Sequence, residues 1–187
     1  MRCRKQTMAE RHGHDPGLVI TDRDHVQGAA AAPVTLVEYG DFECPYSREA
    51  VKTVQVLQRE FGGELRFVYR HFPLAEKHPH AIQAAEAAEA AAAQGEFWSM
   101  YLVLFAHQGE LEYRDLMDYA GPLELDKASF GEALKTHKYF DRVRADVATG
   151  RQHGVTGTPT FFVNGHRQDG NDDVRALTSA IRKVLSV

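Results

Sequence analysis

The chain has 187 residues, 43% of them hydrophobic and 26% charged, with a formal net charge of -4 and a pI near 6.2. These values suit one globular domain, or one domain carrying a large insertion, and give no reason to expect nucleic acid or an anionic membrane surface as a partner. No apolar run approaches the roughly 20 residues of a membrane-spanning helix, and the two cysteines, Cys3 and Cys44, are too few for a disulfide framework.

Residues 1–16 open on a basic Met1-Arg2-Cys3-Arg4-Lys5 run. No apolar segment follows it, so these residues read as a disordered tail of a non-exported, cytoplasmic protein. Residues 18–21 read as a short edge strand, followed by a small-residue loop from Gly28 to Pro33. Residues 34–39 are nearly all β-prone, the pattern of a central strand covered on both faces. Pro45 then suits the first turn of a helix running to Phe61, with Val51, Val54, Leu57 and Phe61 at helical spacing and Gly62-Gly63 as its stop. Residues 65–70 form the next strand. Strand, helix and strand over this length predict a βαβ unit with parallel strands and a right-handed crossover.

From Leu74 to about His153 the chain reads as helical throughout. The alanine-rich stretch from His80 to Ala93 has strong helix propensity and room for close packing. Phe97, Tyr101, Leu104 and Phe105 mark a second helix, and residues 116–119 a short third. Asp126 caps a fourth carrying Phe130 and Leu134, and Phe140, Val143 and Val147 mark a fifth. Strand character returns at residues 160–163. Asn164-Gly165 then signals a hairpin turn into a short strand at 166–168, and Val174, Leu177, Ile181 and Leu185 share one face of a last helix. The order is β-α-β, about 80 helical residues, then β-β-α. The expected division is a sheet domain from 17–73 and 154–187, with an inserted helical domain at 74–153.

The chemistry concentrates at Glu38-Tyr39-Gly40-Asp41-Phe42-Glu43-Cys44-Pro45-Tyr46-Ser47. Cys44 sits where a strand meets a helix start, so its sulfur faces unpaired N–H groups and the positive end of the helix dipole, both of which favour thiolate over thiol. Asp41 and Glu43 are acidic neighbours that oppose this. Cys-Pro-Tyr-Ser has Cys-x-x-Cys spacing, with serine in place of the second sulfur. A hydroxyl does not attack a disulfide near neutral pH, but Ser47 can offer its O–H or N–H to the Cys44 sulfur. Glu38, in an otherwise apolar run, reads as a buried carboxyl able to relay protons. His71, His78 and His80 lack ligand-type spacing and read as surface or helix-start residues, so no metal is expected. Phe97, Trp98 and Tyr101 read as packing for the helical segment, with part of the stripe available to line a groove beside Cys44.

On residues 37–46, on Gly95-Glu96-Phe97-Trp98, and on the stretch from Gly154 to Gly165 that contains Thr158-Pro159, the chain resembles the DsbA-like thioredoxin-fold proteins. The resemblance spans about residues 16–186. It implies an α/β thioredoxin fold with an inserted helical domain, and thiol–disulfide exchange at Cys44. It further implies a cis peptide bond at Pro159, and a Thr158 backbone that pairs with an extended substrate beside Pro45 and Tyr46. With Ser47 in place, Cys44 alone forms a mixed disulfide that an outside thiol such as glutathione resolves. No other cofactor is expected. The expected partners are protein or small-molecule thiols and disulfides, met by a monomer. Ser47 itself is compatible with a native one-cysteine site, with a serine introduced to trap the intermediate, and with a redox-inactive binding or chaperone-like module.

Overall fold

The computed structural model describes residues 18–169 and 173–186, so the expected tail and Cys3 lie outside the described residues. Strand β1 (His25–Gln27), β2 (Val34–Gly40), β3 (Leu65–His71), β4 (Thr160–Val163) and β5 (His166–Arg167) form a sheet in the order β1-β3-β2-β4-β5. Every residue of β2 is buried, as its unbroken β-prone run requires of a central strand. It pairs in parallel with β3, from Val34 against Leu65 to Gly40 against His71, and antiparallel with β4, where Tyr39 meets Thr160.

Helix α1 (Pro45–Phe61) provides the crossover between β2 and β3. It buries Ala50, Val54, Leu57 and Phe61, which recur along one face, and Pro45 occupies its first turn. Gly62 closes it at a positive φ of 50°, a conformation a side chain would oppose, with its N–H bonded to the Gln58 carbonyl. Full burial of one large side chain such as Leu57 stabilises the fold by about 1.5–3 kcal/mol.

Between β3 and β4 run α2 (Ala81–Ala92), α3 (Phe97–Ala106), α4 (Tyr113–Tyr119), α5 (Lys127–Lys135) and α6 (Phe140–Gln152). Helix α2 touches each of the other four, and its buried alanines let them approach closely. Asp126 caps α5 by accepting the Ser129 N–H at 2.6 Å. Helix α7 (Val174–Leu185) starts at Asp173, which accepts the Ala176 N–H at 2.9 Å, and buries Leu177 and Ile181 against the sheet side that holds α1.

Alternation along the strands divides the core. Leu36, Phe67, Tyr69 and Phe161 face a large cluster with α1, α7 and most of the helical segment. Val37, Tyr39, Val68 and Phe162 face a smaller cluster with Leu18, Phe72 and Val155.

Three expectations about elements need correction. The edge strand is at His25–Gln27 rather than 18–21, because Asp24 accepts the Thr21 N–H at 2.7 Å and closes a turn there. Val19 is 69% exposed, and its carbonyl instead takes a bond from Arg70. The short helix expected at 116–119 starts earlier, at Tyr113, because Glu112 and Asp115 form a reciprocal capping box. The last strand ends at Arg167, one residue sooner than expected.

Candidate active site

Cys44 is the N-cap residue of α1, with extended backbone angles (φ -77°, ψ 122°). Its N–H donates to the Asp41 carbonyl at 3.1 Å, and its own carbonyl accepts the Arg48 N–H of the first helical turn at 3.1 Å. The thiol donates to the Thr158 carbonyl at 3.3 Å. The Thr158–Pro159 peptide is cis. Cys44 is only 3% exposed, whereas the neighbouring Tyr46 is 69% exposed. A groove of about 390 Å³ runs beside the pair, between Tyr46, Glu49, Ala50 and Thr53 of α1 on one wall and Thr158, Pro159 and Asp173 on the other. The structure therefore brings together Cys44, Pro45, Tyr46, Thr158 and Pro159.

Ser47 is fully buried one turn into α1. Its hydroxyl accepts the Asp41 N–H at 3.3 Å, which ties the helix to the turn before it, while the sulfur bonds the Thr158 carbonyl. The hydroxyl expected to serve Cys44 instead braces the loop that presents it.

The acidic neighbours of Cys44 are engaged elsewhere. Asp41 accepts the Glu43 N–H at 2.8 Å through Oδ1. Its Oδ2 accepts the Leu74 N–H at 2.8 Å and meets His78 Nδ1 at 2.8 Å. Glu43 accepts the His80 N–H at 2.7 Å and meets the His80 ring at 3.0 Å. Both carboxylates therefore clamp the Cys44 turn to the segment leading into α2, a role their sequence positions do not signal.

Glu38 is fully buried on β2, level with Tyr69 of β3 and Phe161 of β4. Burial, and then the Glu38 carboxylate, push the phenols of Tyr69 and Tyr101 well above their ordinary range. Tyr69 packs at 5.3 Å from Phe42, two residues before Cys44, and Phe42 lies 4.9 Å from Phe105. An acid, two phenols and a wall of aromatic rings thus lie behind the active-site turn.

The histidines depart most from expectation. His71 is not on the surface but fully buried, and its Nε2 bonds Glu89 Oε1 at 2.8 Å. His25 bonds the same oxygen at 2.8 Å and stacks on Phe97, with ring centroids 3.4 Å apart. His25, His71 and Glu89 place three possible ligand atoms within 4.8 Å of one another. Arg142 Nε, 3.7 Å from the same carboxylate oxygen, already supplies a positive charge there. The aromatic stripe of α3 packs on the sheet, with Trp98 at 5.8 Å from Phe67 and Tyr101 at 5.1 Å from Tyr69, and does not line the groove beside Cys44.

Gln108 is a positioning residue that the sequence did not reveal. From the loop after α3, its Nε2 donates to the carbonyls of Phe42 at 2.7 Å and Cys44 at 2.8 Å. No motif surrounds it, and only the packing of α3 against the turn brings it there.

Residues 21–183 match the family described as thioredoxin, and the chain belongs to that family. Among solved structures, oxidised BdbD from Bacillus subtilis superposes with a TM-score of 0.81 at 24% identity, over 88% of this chain and 94% of that one. A thioredoxin-like oxidoreductase from Silicibacter pomeroyi superposes with a TM-score of 0.79 at 26% identity, over 89% of this chain and 95% of that one. The arrangement is that of the DsbA-like thiol–disulfide oxidoreductases, with a single cysteine at the site. Among curated relatives, a Na(+)/H(+) antiporter NhaA 1 from Salinispora arenicola is 51% identical over 168 residues, which is 90% of this chain and 26% of that protein. A protein of the same name from a Mycobacterium species is 43% identical over 165 residues, 87% of this chain and 27% of that protein. The chain therefore spans about a quarter of the length of these relatives.

Proposed function

We propose that the protein exchanges thiols and disulfides through Cys44 alone. The observation that carries this reading is the Cys44 thiol held 3.3 Å from the Thr158 carbonyl at the edge of a groove, with a hydroxyl where a second sulfur would stand. An extended substrate chain pairs with the Thr158 backbone and lays its disulfide across the sulfur. The Cys44 thiolate attacks one substrate sulfur, forming a mixed disulfide and releasing the other sulfur as a thiolate. Ser47 offers no second thiolate, so an external thiol, glutathione or a protein cysteine, attacks next. Cys44 leaves as the thiolate, and the substrate sulfur departs joined to that thiol. Glu38 acts in this scheme as a buried proton carrier behind the turn, and Pro45 and Tyr46 flank the incoming chain. The transport named for the longer relatives is not carried over, because this chain spans only about a quarter of their length and none of its described helices is long and apolar enough to cross a membrane.

Mass spectrometry of the folded protein after treatment with oxidised glutathione tests the proposal. One glutathionyl adduct on Cys44, lost in Cys44→Ala, is expected. An unmodified Cys44 in the folded protein rejects the proposal.

A further inference from the structure

Beside the smaller core cluster, a cavity of about 610 Å³ opens between α6, the 72–77 segment and the loop that leads to Thr158. This lies within the roughly 300–1,000 Å³ range of small-molecule sites. Phe72, Ile82, Val143, Val147 and Val155 give it an apolar lining, and Phe140 reaches it while remaining 38% exposed. On α6 the contributors are Phe140, Val143, Arg144, Val147 and Arg151, which recur as one stripe along the helix. The apolar members of this stripe read in sequence as core. Only Val143 is fully buried, and the stripe carries two arginines, which a face made solely for packing has no use for.

The charge around the opening is one-sided. Lys77, Arg144 and Arg151 stand against Glu76. Arg144 makes an exposed pairing with Asp141 at 3.5 Å, while Lys77 and Arg151 have no ion-pair partner among the described residues. An apolar chamber with uncommitted cations at its mouth complements a molecule that is apolar along its body and anionic at one end. Its hydrocarbon part leaves water against the valines and Phe72. Its charged end meets a guanidinium or ammonium whose aliphatic stem also covers the lining.

We propose that this cavity binds a small organic anion with an apolar body, of the fatty-acid or aryl-carboxylate class. The site is separate from the groove beside Cys44, shares no lining residue with it, and does not depend on the redox reading.

Calorimetric titration of the full chain with decanoate below its micelle concentration tests this, with decyltrimethylammonium as the charge-reversed probe. Decanoate saturates a single site and binds at least about tenfold more tightly than the ammonium. The double variant Lys77→Glu/Arg151→Glu, changed only at exposed side chains, weakens decanoate about tenfold or more and keeps its melting temperature. Val147→Trp fills the chamber and removes binding. Absence of saturable decanoate binding, equal binding of the ammonium, or wild-type affinity in the charge-reversed variant each overturns the proposal. The charge-reversed variant decides the matter even where Val147→Trp does not fold.

Discussion

Replacing Glu89 by glutamine probes how the helical segment is locked to the sheet. Glu89 Oε1 accepts from His25 on β1 and His71 on β3, both at 2.8 Å, with Arg142 of α6 at 3.7 Å, so one carboxylate joins four elements. Burial opposes its ionisation, but the hydrogen bonds from His25 and His71 outweigh that and hold the carboxyl well below its usual range. Glutamine keeps an acceptor of the same shape and loses the charge. Hydrogen bonds to a charged group contribute about 1.5–3 kcal/mol against about 1 kcal/mol for neutral ones, so two weakened bonds cost about 1–4 kcal/mol. For a domain of this size that lowers the melting temperature by about 2–15 °C. The pH dependence carries a sign. A carboxyl depressed in the folded state contributes stability that is fully present above its unfolded value of about 4.3 and is lost as pH falls below it. The amide of the Glu89→Gln variant does not titrate, so urea unfolding of the two proteins at pH 7, 5 and 3.5 shows a gap that narrows toward acid. A gap under about 0.5 kcal/mol at pH 7, or one that stays constant to pH 3.5, refutes the assignment of this network as a charged lock.

Three further outcomes follow from the packing. Gly150 lies on α6 where an added Cβ meets Phe72 ring carbons at 2.8 and 2.9 Å and Tyr39 Cε1 at 3.0 Å. Gly150→Ala therefore destabilises by about 1–2 kcal/mol in urea despite alanine's helix propensity; a stabilised variant contradicts the close approach. Gln108→Ala leaves the Phe42 and Cys44 carbonyls without their side-chain donor, costs about 1–3 kcal/mol, and speeds iodoacetamide alkylation of Cys44 in the folded state; unchanged stability and alkylation count against its positioning role. The phenols of Tyr69 and Tyr101, held well above the usual range by burial and then by Glu38, add stability that is fully present below about pH 10 and is lost as pH rises beyond it. Tyrosinate absorbance should thus show both ionising only as the fold opens; early titration of either contradicts its burial beside Glu38.

The centre of the fold was legible where local and tertiary demands agree. A continuous β-prone run marks β2, Pro45 and Gly62 punctuate α1, and strand character returns at β4. The edge strand was missed because residues 18–21 look β-prone, while Asp24 forms a turn with Thr21 and Arg70 engages the Val19 carbonyl. At the site, the spacing of Cys44 and Ser47 and the Thr158-Pro159 pair were readable as motifs. The clamps were not. Asp41 with His78, Glu43 with His80, Glu89 with two histidines, and Gln108 with two carbonyls are all contacts between residues distant in sequence. A single sequence carries no periodic signal for such pairs.

The most direct test of the central claim is the lifetime of the mixed disulfide. After Cys44 is loaded with a disulfide peptide, quenched samples are followed by mass spectrometry with and without added glutathione, for the protein and for Ser47→Cys. A single-cysteine site gives an adduct that persists without an external thiol, is released in proportion to added glutathione, and is short-lived in Ser47→Cys. Spontaneous release from the unaltered protein at the rate of Ser47→Cys contradicts it.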